Sequence, residues 1–119
     1  MSKAKIQIRP RLRAIVGRNI ALGPGKVQLL ELLQKNGSIT KAAREMNMSY
    51  MRAWTLIRTM NRCFKEPIVV SSHGGAHGGG GAELTAAGRE VLTLYQKMDA
   101  KCLRAIAPMQ KQLEKFLCR

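Results

Sequence analysis

Apolar residues recur along this chain with helical spacing in some stretches and extended spacing in others, and the changes of period divide it. Between Gly37 and Phe64, in GSITKAAREMNMSYMRAWTLIRTMNRCF, the spacing is helical. Ile39, Ala43 and Met46 lie 4 and 3 residues apart. They form one apolar stripe on a short helix, and small Ala43 lets a second helix cross closely. Asn47 marks the turn, because Asn tolerates the left-handed conformation that the elbow between two helices often needs. Ser49 is placed to cap the second helix. Ala53, Ile57, Met60 and Phe64 then repeat at 4, 3 and 4, which makes them its buried stripe. Met51, Arg52, Thr55, Arg58, Thr59 and Arg62 are turned outward. The pattern predicts a helix-turn-helix.

Ahead of this unit, Ile6 and Ile8 alternate with polar neighbours, a weak strand signal interrupted at Pro10. Leu12 to Val16 and Ile20 to Leu22 flank Gly17, Arg18 and Asn19 and read as a short hairpin. Gly23, Pro24 and Gly25 separate it from a first helix that carries Val27, Leu29, Leu30, Leu32 and Leu33 and stops at Asn36 and Gly37. After Phe64 the period becomes extended. Ile68, Val69 and Val70 follow Pro67, and Ala82, Glu83 and Leu84 can return as a partner strand, so the glycine-rich loop between them becomes a wing.

A long helix is predicted from Thr85, its N-cap. Val91, Tyr95, Met98, Cys102, Ile106, Met109, Leu113 and Phe116 recur at 4, 3, 4, 4, 3, 4 and 3, a near-heptad seam. Part of the seam can fold back on the domain. A helix of this length outruns a small three-helix core, however, so the seam is expected to pair with a second subunit. Pro108 should kink or break it. The fold class expected is mainly α with a small β component. Residues 1–11 form a basic arm, 12–84 a winged helix-turn-helix domain, and 85–119 a helical dimerisation segment.

Charge narrows the function. The 119 residues carry a formal net charge of +14, and the first acidic residue is Glu31. Such an excess calls for a polyanionic partner, with double-stranded DNA the first candidate. The outward face of the second helix of the motif has no carboxylate, and it mixes Arg, suited to phosphates, with short donors that reach base edges. DNA contacts are therefore expected from Ser49, Tyr50, Met51, Arg52, Thr55, Arg58, Thr59 and Arg62, and from Thr40 and Lys41 on the first helix of the motif. In the loop, His73, Gly74, Gly75, His77 and Gly78 are expected to lie on the DNA backbone, since bare glycine N–H groups approach a phosphate closely. No run of about 18 apolar residues and no signal-peptide pattern is present, which points to a cytoplasmic, nucleoid-associated protein rather than a membrane protein.

Other chemistries fit poorly. The glycine run leads to Ala82 and Glu83 instead of the Lys and Ser or Thr that a nucleotide-binding loop needs. His73 and His77 offer two nitrogens without further ligands, so no metal and no cofactor is expected. Cys63, Cys102 and Cys118 are too widely spaced for a zinc site or a disulfide framework and read as reduced thiols, with a redox role for Cys118 left open. Seven scattered acids and two histidines without catalytic partners argue against an enzyme.

The sequence GSITKAAREMNMSYMRAW, then Met60 and Asn61, GGAHGGGGAELT and Gly88 resemble the N-terminal DNA-binding domain of ModE-type molybdate-responsive transcriptional regulators, itself related to LysR-type regulators. The resemblance covers about residues 12–105. It implies a homodimeric, sequence-specific regulator paired through the helix after the wing, with Ser49 to Arg58 as the reading segment and Gly74 to Gly81 as the wing. The complete regulators carry C-terminal oxyanion-binding domains without a counterpart in these residues, so a small oxyanion such as molybdate enters only through the resemblance. The competing reading is an architectural, nucleoid-type protein that coats DNA through charge alone.

Overall fold

The computed structural model describes residues 4–72 and 81–118. A hairpin of β1 (Ala14–Val16) and β2 (Asn19–Leu22) opens the fold. Val16 pairs with Asn19 across Gly17 and Arg18, and Gly17 has φ of 61°. A two-residue hairpin turn with positive φ at its first central position matches the right-handed twist of the strands, and glycine adopts it without steric cost. Ile6 and Ile8 form no strand with it. Both are half-buried beside residues of the last helix.

Helix α1 (Pro24–Asn36) follows with Gly23 as N-cap and Pro24 in the first turn, so Pro24 and Gly25 open the helix instead of separating it from the hairpin. Pro is suited to that place because its missing N–H has no helical partner there. Gly37 ends α1 in the left-handed conformation, φ 66°, with its N–H on the Leu33 carbonyl. Val27, Leu29, Leu30 and Leu33 are buried, with Leu32 partly so.

Helices α2 (Ile39–Glu45) and α3 (Tyr50–Arg62) are each capped by a serine. Ser38 accepts from Lys41 N at 3.2 Å, and Ser49 accepts from Arg52 N at 3.1 Å. Between them Asn47 has φ of 55°, the left-handed elbow that the sequence leads one to expect. Ile39, Ala42, Ala43, Ala53, Ile57 and Met60 close the core with α1, and Ala43 and Ala53 supply the small surfaces that let helices cross.

Strands β3 (Val69–Ser71) and β4 (Ala82–Leu84) pair antiparallel as the wing's stem, Val69 opposite Leu84 and Ser71 opposite Ala82. Helix α4 (Ala86–Glu114) begins at the Thr85 cap and continues unbroken through Pro108. Proline there removes one intrahelical bond, a cost of about 3 kcal/mol in a helix interior. Arg104, whose carbonyl loses its partner, and Pro108 are both exposed, so water can satisfy that carbonyl. The break expected at Pro108 is absent. Only Gly88, Leu92 and Tyr95 of α4 are buried.

Candidate nucleic-acid interface

The face of α3 opposite Ala53, Ile57 and Met60 presents Met51, Arg52, Thr55, Arg58 and Arg62 to solvent, with Tyr50 and Ser49 exposed at its start. Its first turn contains no acid, and neither does that of α2, where Thr40 and Lys41 are exposed. The positive ends of both helix dipoles are therefore uncompensated, which favours phosphate. The Arg58 guanidinium lies 4.6 Å from the centroid of the Trp54 ring. That cation–π contact restrains the arginine and gives half-buried Trp54 a packing role. Thr59 differs from its neighbours. It is half-buried and its Oγ1 donates to the Leu56 carbonyl at 3.1 Å, so its hydroxyl is engaged within the helix.

Two side chains and one glycine fasten α3 and α4 to the wing stem. Asn61 Oδ1 accepts from Ile68 N at 2.9 Å and Val69 N at 3.2 Å, while its Nδ2 donates to the Val69 carbonyl at 2.9 Å. One amide thus reproduces a strand partner for the start of β3. Thr85 Oγ1 donates to the Pro67 carbonyl at 2.8 Å and accepts from Gly88 N at 3.0 Å, and Thr85 N donates to the Ile68 carbonyl at 3.0 Å. Gly88 lets α4 touch the residue just ahead of β3: a Cβ there would collide with the Ile68 carbonyl oxygen. Ser38 pairs with Gly81, and Ala82 N donates to the Gly37 carbonyl at 3.2 Å, which ties the returning strand to the α1–α2 junction. In the sequence, Asn61 and Gly88 stand out only within the family resemblance, since a side-chain clasp between segments far apart leaves no periodic trace. The proposed wing contacts His73, Gly74, Gly75, His77 and Gly78 lie outside the described residues.

The sequence pattern of bacterial regulatory helix-turn-helix proteins of the lysR family matches residues 25–89. The chain belongs to this family. The matched span, a helix-turn-helix domain of DNA-binding regulatory proteins, runs from the start of α1 into α4. Among curated relatives, the chain is 37% identical over 93 residues to the molybdenum transport protein ModE of Azotobacter vinelandii, covering 78% of this chain and 34% of that protein. It is 36% identical over 92 residues to the molybdenum-pterin-binding protein MopB of Rhodobacter capsulatus, covering 77% and 34%. The DNA-binding transcriptional dual regulator ModE of Escherichia coli is 39% identical over 72 residues, 60% of this chain and 27% of that one. The chain spans about a third of the length of the relatives it matches.

The seam predicted along α4 is divided by the structure. Tyr95 is buried and Val91 packs against the core, so both serve the chain's own domain, together with Leu92, which lies outside the near-heptad spacing. Cys102 and Ile106 are half-buried, whereas Met98, Met109 and Leu113 are exposed. Among the described residues no helix is long and apolar enough to cross a membrane.

Proposed function

We propose that this chain is a sequence-specific, DNA-binding transcriptional regulator that acts as a homodimer in the cytoplasm, on the nucleoid. Helix α3 enters the major groove and the glycine-rich wing lies on the backbone. The observation that carries the reading is the exposed face of α3, which combines Arg52, Arg58 and Arg62 with Thr55 and no carboxylate on a capped helix fastened to a wing stem. Arg52 and Thr55 read base edges. Thr40, Lys41 and the remaining arginines hold phosphates. Two of the relatives are named for molybdenum transport and molybdenum-pterin binding.

A second reading, a coating protein without sequence preference, draws on the net charge of +14. Selection of bound duplexes from a random library at about 150 mM salt, where charge-only binding is heavily screened, separates the two. A palindromic consensus with half-sites about one helical turn apart is expected. Enrichment of no motif would establish the coating protein instead. On the selected site, Arg52→Ala should cost about 1–3 kcal/mol and relax one base position, while Lys41→Ala should weaken all sequences alike and lower the salt slope by about 1.

A further inference from the structure

A large apolar side chain stands at the centre of the outward face of α3, among arginines. Met51 is 63% exposed, while Ala53, Ile57 and Met60 of the same helix are buried. At about 100° per residue, the direction opposite that buried stripe passes between Met51 and Thr55, each within about 30° of it. The two are one turn apart, about 6 Å along the axis, and both are exposed. Arg62 shares the direction but lies about 16 Å further along the helix, and Arg52 lies about 70° to one side, so it reaches in through its longer side chain. Arg58 is held over the Trp54 ring, on the side away from Thr55. The centre of the face therefore belongs to Met51 and Thr55.

Isolated exposed apolar residues are ordinary on protein surfaces, and position is what distinguishes this one. Met51 is the second residue of α3. In the reading above, α3 enters the major groove, and the N-terminal residues of such a helix are the ones that meet base edges. A thioether neither donates a hydrogen bond nor neutralises a phosphate. The C5-methyl group of thymine is the apolar group that base edges present in that groove.

We propose that Met51 packs on the C5-methyl group of a thymine in each half-site, next to the base edge that Thr55 meets, and so selects thymine at that position. The proposal deepens the regulator reading above and rests on it. Methionine suits the contact, because its unbranched, polarizable side chain adapts to an apolar surface. Burying one methyl group is worth about 4-fold in affinity.

Fluorescence-anisotropy titration of the full chain with duplexes of the selected consensus tests this, each thymine being exchanged in turn for deoxyuridine. The exchange removes the methyl group and keeps every hydrogen-bonding group of the base. Wild type is expected to bind about 4-fold more weakly when one such thymine is exchanged, and about 15-fold more weakly when its counterpart in the other half-site is exchanged too. Met51→Ala should bind thymine and uracil duplexes equally at that position, while Met51→Leu should keep the preference. Circular dichroism checks that each variant keeps its helix content. A consensus in which no thymine responds would overturn the assignment and leave the sequence-specific regulator standing. A response that persists in Met51→Ala would overturn it as well, and loss of that response in Thr55→Ser, which removes only the threonine methyl, would give the contact to Thr55. Enrichment of no consensus would remove the regulator reading, and the thymine assignment with it.

Discussion

In the first third of α4, Gly88, Leu92 and Tyr95 are buried against α1 and the wing stem, whereas Met98 and Met109 on the same helix are mostly in solvent. Both regions carry apolar residues at helical spacing. Their surroundings differ: the first has a leucine-rich helix and a strand within reach, and the second has the N-terminal arm on one side and open solvent on the other. Periodicity reports that a stripe exists. What covers the stripe is a property of the rest of the chain, and here the answer changes partway along one helix.

This contrast can be tested most strongly within α4 itself. Leu92→Ala should cost about 2–5 kcal/mol of stability in urea unfolding, since it opens a cavity in a closed core, while Met109→Ala at low protein concentration should stay within about 0.5 kcal/mol of wild type. Similar losses for both would show that the outer half is as tightly packed as the inner one. Next in size is Asn61→Ala, which leaves the Ile68 and Val69 backbone groups without their partner. A loss of about 1–3 kcal/mol is expected, with faster amide hydrogen exchange at Ile68 and Val69 and little change in α4 beyond Met98.

A smaller loss than that of Leu92→Ala or Asn61→Ala should come from Tyr95→Phe, which removes the hydrogen bond to Leu12 and loosens the N-terminal arm at about 0.5–1.5 kcal/mol. It also carries a pH signature. Burial first, and Asp99 second, raise the Tyr95 phenol above its ordinary value of 10.0, with Arg11 opposing them. The folded state therefore holds this proton more tightly than the unfolded chain does. The stabilisation is complete below about pH 10 and is lost as pH rises through the folded value. Denaturation midpoints across alkaline pH should fall more steeply for wild type than for Tyr95→Phe. Parallel curves would place the phenol outside the buried junction.

Much of the helix-turn-helix was legible in the residues because its determinants are local. The stripe Ala53, Ile57 and Met60, the Ser49 cap and the left-handed Asn47 each follow from neighbours a few positions away, whereas the first stem strand, expected at Ile68 to Val70, lies at Val69–Ser71 because Asn61 and Thr85 hold the Ile68 backbone ahead of it. Pro108 misleads as a helix breaker because its local penalty is outweighed by the intrahelical bonds on either side, with the freed carbonyl left to water. Thr59 looks available by spacing and proves to be engaged by its own helix.

The sequence by itself determined the basic, carboxylate-free face of α3 and the order of elements that presents it, because charge and period are written along the chain. Only the tertiary structure decided that Asn61, Thr85 and Gly88 fasten α3 and α4 to the wing stem. It alone placed the N-terminal arm beside α4 and divided the α4 stripe between the core, that arm and solvent. Those outcomes depend on which distant segments come within a few ångströms of each other, and no short-range pattern encodes that proximity.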